Sequence, residues 1–168
     1  AGAFERTLTT EPDDARALAL YARALFELGR TSEARDTCLK ALRHEPKDAK
    51  VLLNIARTLR RLSADADALA CLERALRHDP DSADAYWTLL QMYRECRRYD
   101  DALHCARLAA RKLPANTDLT LQYGIALFDA GRTLDALKKL IRIQDQGPHR
   151  QDVHSTSINV LLHEDHHT

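Results

Sequence analysis

Aromatic side chains make up only 5% of this 168-residue chain, and it has only five glycines and five prolines. A sheet built from aromatic and β-branched residues is therefore disfavoured, as is a Gly/Pro-rich disordered chain. Excess charge of either sign is also missing, since 25 Lys and Arg balance 25 Asp and Glu. No global field draws such a chain to nucleic acid or to an anionic membrane surface. No apolar run approaches the length of a membrane span, and no signal peptide is visible. None of the four cysteines forms a Cys-x-x-Cys pair; Cys38, Cys71 and Cys105 fall in Ala/Leu-rich stretches. Packed helices lie about 8–10 Å apart, beyond the reach of a disulfide between equivalent positions. The thiols are expected to be reduced and mostly small core fillers, which points to the cytoplasm, or to the periplasm had a leader been removed. What is present is Ala and Leu within a 45% hydrophobic content, the composition of a helical protein long enough to bury a sizeable core.

The prolines organise it. They are Pro12, Pro46, Pro80, Pro114 and Pro148, every interval being 34 residues. Proline has no backbone N–H and disfavours helix in the residue before it, so each marks a helix end. Two residues beyond four of them stand the capping side chains Asp14, Asp48, Ser82 and Asn116, while Arg150 follows the fifth. The near-identical phrases "ALRHEPKDA" and "ALRHDPDSA" are thus joints between helices. Their His44 and His78 are read as helix-end residues, favourable to the dipole and to the last carbonyls, and not as ligands.

Each unit breaks again near its middle. "ELGRTSEA" and "DAGRTLDA" supply Gly29 and Gly131, suited to the left-handed conformation after a helix. "RLSADADA" and "ECRRYDDA" fill the same place without glycine. Beyond each break an acid precedes an alanine: Glu33-Ala34, Asp67-Ala68, Asp101-Ala102 and Asp135-Ala136. The acid suits a first helical turn, and the alanine permits close helix approach. Each unit is predicted to be a helical hairpin.

The period and the pattern resemble the tetratricopeptide repeat, Trp-x-x-Leu-Gly-x-x-Tyr, then Ala-x-x-x-Phe, then Pro. The matching residues are Leu18, Tyr21, Ala22, Leu25, Ala34, Cys38 and Pro46 in the first unit, and Leu52, Ile55, Ala56, Leu59, Ala68, Leu72 and Pro80 in the second. The third has Tyr86, Leu89, Leu90, Tyr93, Ala102, Ala106 and Pro114; the fourth has Thr120, Tyr123, Gly124, Leu127, Ala136, Leu140 and Pro148. Polar Thr120 and bulky Leu90 depart from the pattern. The resemblance implies an all-α right-handed solenoid of antiparallel helix pairs. Full repeats are expected at 15–48, 49–82, 83–116 and 117–150, with residues 1–14 as the tail of a preceding repeat and 151–168 as one further helix. Solenoids usually end in a polar cap. Neither end supplies an obvious one, which reads as a fragment of a longer array or as ends that pair with another copy.

Chemistry is sparse. The string His163-Glu164-Asp165-His166-His167 satisfies His-Glu-x-x-His, a zinc-protease spacing when carried on a helix. No third ligand follows it, so it is read as a polar terminus, and neither a catalytic residue nor a metal or other cofactor is expected. Phosphate loops, nucleophile elbows and kinase signatures are missing.

In the family it resembles, the first helix of each hairpin lines a concave surface that binds peptides of partner proteins. By register the groove is expected to hold Arg16, Ala19, Arg23 and Phe26, then Lys50, Leu53, Asn54, Arg57 and Arg60. Asp84, Trp87, Gln91 and Arg94 follow, and then Asp118, Leu121, Gln122, Ile125 and Phe128. Arg23 matches Arg57, and Arg60 matches Arg94, making a basic strip suited to an acidic or carboxylate-bearing segment. Phe26, Trp87 and Phe128 offer aromatic anchors. The competing reading pairs these arginines with Glu27, Asp84 and Glu95. A chaperone carboxylate clamp is not expected, because of its positions Ala19, Arg23, Asn54, Asp84 and Thr88 only Asn54 matches. The expectation is a non-catalytic scaffold for a protein or peptide partner, with no nucleic-acid partner and no membrane span. The alternatives are a self-assembling module, or the repeat part of a larger enzyme.

Overall fold

A computed structural model describes residues 14–145. Among these residues the chain forms eight α-helices and no strand. They are α1 (Ala15–Glu27), α2 (Thr31–Arg43), α3 (Ala49–Arg61), α4 (Asp65–His78), α5 (Ala83–Glu95), α6 (Tyr99–Lys112), α7 (Thr117–Asp129) and α8 (Thr133–Asp145). Two helices fall in each 34-residue window. The segments expected as terminal partial repeats, and the His163–His167 string, lie outside the described residues.

The proline-linked caps form as the sequence implies. The Arg16 amide donates to Asp14 Oδ1 at 2.9 Å, and the Lys50 amide to Asp48 Oδ1 at 2.8 Å. The Leu119 amide reaches Asn116 Oδ1 at 3.0 Å, and the Ala85 amide reaches Ser82 Oγ at 3.4 Å. Each side-chain oxygen satisfies an amide that the first helical turn leaves without a partner. Among the histidines of the repeated phrase, His78 closes α4 and His44 is the C-cap of α2; both are exposed.

The mid-repeat breaks share one geometry whether or not they contain glycine. Gly29 and Gly131 have φ of 76° and 74°, and Ser63 and Arg97, at the same register, have φ of 56° and 55°. In all four the next residue's amide reaches back to a carbonyl five positions earlier: Arg30 to Leu25, Ala64 to Leu59, Arg98 to Tyr93 and Arg132 to Leu127, at 2.8–2.9 Å. That is the Schellman closure of a helix end. A side chain in the left-handed region costs about 1 kcal/mol that glycine avoids. Ser63→Gly and Arg97→Gly are each expected to stabilise the protein by about 0.5–1 kcal/mol, read as a raised urea midpoint at unchanged slope. A lowered midpoint for both would refute this account of the turn.

The residue after each turn then fastens the next helix. Arg30 grips Glu33 through two bonds of 2.6 and 2.7 Å, Arg98 reaches Asp101 at 2.7 Å, and Arg132 pairs with Asp135. The Arg30 guanidinium holds the Glu33 carboxyl below the usual carboxylate range. In the second repeat this residue is Ala64, which has no side chain to pair with Asp67.

The chain divides into two compact units, Ala1–Thr88 and Leu89–Thr168, the boundary falling inside α5. In the first unit α1 packs on α2 and α3 on α4, and α1 also runs beside α3. The repeat positions Leu18, Ala22, Leu25, Ala34, Cys38 and Ala41 are buried there, as are Leu52, Ile55, Ala56, Leu59, Ala68, Leu72 and Ala75. In the second unit α7 packs on α8 and also against α6. Polar Thr120 is half-buried on α7, and its hydroxyl donates to the Asn116 carbonyl at 3.1 Å, so its burial carries a partner.

Candidate functional site

In the first unit the strip lies along α1, α3 and the start of α5. Its members are not equally open. Ala19 and Leu53, expected in the groove, are buried and serve as packing between neighbouring helices. Arg16, Arg23, Lys50 and Arg57 are exposed, while Phe26, Asn54 and Arg60 are half-buried. Trp87, at 39% exposure, is among the few large apolar side chains open to solvent.

Ion pairs run from each first helix to the next. Arg16 lies 3.8 Å from Asp48, and Arg57 lies 3.8 Å from Asp84. Both are loose contacts between solvated side chains, the kind worth about 1 kcal/mol or less. Arg61 bonds Glu27 while its guanidinium stacks 4.2 Å from the Phe26 ring centroid. That contact holds the Glu27 carboxyl below its usual range, the Arg61 hydrogen bond being the main cause and Arg23 adding a longer-range contribution. Phe26 is therefore roofed by an arginine and is not a bare aromatic anchor. Arg23 and Lys50 form no ion pair among the described residues.

The second unit carries the rest. Gln91 is half-buried. Arg94 Nε donates to Asp129 Oδ2 at 2.6 Å, with the two side chains only 33% and 18% exposed. This cation belongs to the fold more than to a ligand. Leu121 and Gln122, expected in the groove, are buried. Leu121 joins Leu140 and Ile143 in a small apolar core against which Ile125 and Phe128 are packed, so Phe128 too is partly committed to folding. These residues were expected to be spare because they lie off the repeat's consensus core face, yet Leu121 packs against α8 of its own hairpin.

The sequence reading missed Arg61 and Asp129, and took Asp48 only as a cap. A signal for Arg61 was present: Glu27 and Arg61 carry opposite charges at the same register, 34 residues apart.

No group of three or more His, Cys, Asp or Glu capable of holding a metal occurs among the described residues. None of the cysteines is in a disulfide; Cys38, Cys71 and Cys105 are buried and Cys96 is exposed, in keeping with mostly core-filling thiols. Burial pushes the Cys38 and Cys105 thiols up to about 12 and Cys71 to about 11, which keeps them protonated and poor nucleophiles. No described helix is long and apolar enough to cross a membrane.

Family models described as "Tetratricopeptide repeat" match residues 1–51, 28–85, 53–103 and 93–150. No curated protein matches the sequence. Among solved structures, "YrrB: a TPR protein with an unusual peptide-binding site" is similar at 19% identity and TM-score 0.70, over 97% of this chain and 84% of that one. MamA from Desulfovibrio magneticus RS-1 is similar at 18% identity and TM-score 0.70, over 91% and 86%. Naa15/Naa10 bound to HypK-THB is similar at 17% identity and TM-score 0.69, over 98% of this chain but 26% of that one. At these identities the likeness is one of fold.

Proposed function

Since the chain belongs to the tetratricopeptide repeat family, an all-α solenoid class of protein-interaction modules, we propose that it is a non-catalytic scaffold for a partner's acidic peptide segment. The segment lies along α1, α3 and the start of α5. The observation that carries this reading is the pair of exposed cations that form no ion pair among the described residues, Arg23 and Lys50, beside the loosely paired Arg57. Arg23 and Arg57 occupy the same register on adjacent helices, so a chain crossing both meets a repeated positive group. Partner carboxylates would exchange for Asp84 at Arg57 with little loss, because that contact is long and solvated. Asn54 supplies an amide one turn before Arg57, and Trp87, one turn after Asp84, supplies apolar area. YrrB has an unusual peptide-binding site and Naa15/Naa10 is bound to HypK-THB, which accords with such a role.

The test is quantitative affinity capture from the source organism with the parent chain and with Arg23→Glu/Arg57→Glu. The reversed chain is expected to keep its helical circular dichroism and lose the specific partner by at least about tenfold in affinity. Because Trp87 is the chain's one tryptophan, the purified partner should also shift its emission to the blue. Unaltered capture by the reversed chain would remove the strip from consideration.

A further inference from the structure

The outer face of α8 departs from the corresponding faces of its sister helices. Leu134 and Ile141, two turns apart, are 66% and 52% exposed. The register of Leu134 holds Ser32, Ala66 and Asp100 elsewhere, and that of Lys138 holds Asp36, Ala70 and His104. At Leu134 one repeat has thus exchanged small or acidic surface for an apolar side chain, with a cation one turn on; at the register of Ile141 the sister helices hold Leu39, Glu73 and Arg107, so only the first of them shares its apolar character. Beside this stripe a basin of about 350 Å3 opens between α7 and α8. Its rim carries Arg132, Lys138, Lys139 and Arg142, with Tyr123 in its wall. Arg132 is neutralised by Asp135, and Lys139 sits 5.3 Å from the Tyr123 ring centroid. Lys138 and Arg142 have no ion-pair partner among the described residues. Positive charge is concentrated here in a chain whose formal net charge is zero.

We propose that this face is a second docking surface, separate from the α1/α3 strip, for an acidic amphipathic helix of a partner protein. The partner's apolar side chains sit on Leu134 and Ile141, and its carboxylates lie over Lys138, Lys139 and Arg142. Seven residues of helix rise about 10.5 Å, so a partner with apolar residues at the same spacing matches both contacts. Charge complementarity selects an acidic partner and sets its orientation. A lipid surface fits less well. An interfacial helix buries a whole apolar face in the membrane, whereas the apolar face of α8 with Leu140 and Ile143 is already packed in the core, leaving two side chains.

The probe is a fluorescein-labelled helical peptide with leucines seven positions apart and flanking glutamates, followed by anisotropy. It is expected to bind the parent chain with an affinity that falls as salt rises. Leu134→Gln/Ile141→Gln and Lys138→Glu/Arg142→Glu should each weaken it by at least about tenfold. Arg23→Glu/Arg57→Glu should leave it unchanged, so failure here is separable from failure of the strip. Equal binding by all the variants, or by a peptide whose leucines are replaced with glutamine, would overturn the proposal. Tighter binding to phosphatidylserine vesicles, lost in the Lys138/Arg142 variant, would also overturn it. So would self-association of the parent chain that the Leu134/Ile141 variant lacks, since the face would then be covered by a second copy.

Discussion

Gly124→Leu is expected to be the most damaging single substitution on α7, costing about 3 kcal/mol or more despite leucine's better helix propensity. A Cβ at Gly124 would stand 2.7 Å from Leu140 Cδ2 and 3.1 Å from its Cγ. Leu140 is fully buried, so moving one of its methyl groups can admit a Cβ but not a whole leucine side chain. The same facing pair occurs in every hairpin by register: Ala22 with Cys38, Ala56 with Leu72, Leu90 with Ala106, and Gly124 with Leu140. Where the first member is large the second is small, which explains how bulky Leu90 is tolerated at a position that usually holds a small residue. Gly124→Ala should be close to neutral, because about 1 kcal/mol of helix propensity offsets a contact that falls chiefly on a methyl group. Leu140→Ala alone should cost about 2–5 kcal/mol. Gly124→Leu combined with Leu140→Ala recreates the Leu90/Ala106 pairing and should recover much of the loss. Urea unfolding of the four proteins gives the coupling energy, expected to exceed about 2 kcal/mol. Strict additivity would show that the two positions do not share one space.

Arg94→Glu comes next. It replaces a 2.6 Å charge-assisted hydrogen bond with two carboxylates facing each other, where the Asp129 side chain is only 18% exposed. Breaking a fully buried pair costs about 3–5 kcal/mol; with Arg94 a third exposed, about 2–3 kcal/mol is expected here. Arg94→Glu with Asp129→Arg should restore most of it. The comparison is Arg61→Glu, whose pair with Glu27 has side chains 45% and 58% exposed and should lose much less stability. Thermal unfolding distinguishes the two, and equal losses would refute the dependence on burial. Charge reversal at Arg94 is consequently a poor probe of partner binding, since lost capture would be confounded with lost folding. Arg23 and Arg57 are the sound positions for that experiment.

Much of the architecture was legible because the forces behind it are local. Pro46, Pro80 and Pro114 stop helices through chemistry that acts on adjacent residues, and Asp14, Asp48, Ser82 and Asn116 cap amides two or three residues away. The alternation of large and small residues at a 34-residue period then identified the inner core. The turns at Ser63 and Arg97 were only half legible. Neither residue favours a positive φ, yet the closure imposed by the flanking helices places them where glycine sits in the sister repeats.

The exposed face proposed for binding was the least legible, for a physical reason. Register assigns a side chain to one side of a helix, but burial and pairing depend on groups that the chain brings alongside from the next repeat. Ala19, Leu53, Leu121 and Gln122 look like surface in the repeat pattern and are buried in the structure. Arg57 and Arg94 both read as basic groove residues, but one meets its acid at 3.8 Å in solvent and the other at 2.6 Å under cover. Sequence alone determined that this protein is a row of helical hairpins. Tertiary packing decided which cations are tightly paired and which stay solvated among the described residues, because an ion pair's strength depends on distance and on how much water surrounds it.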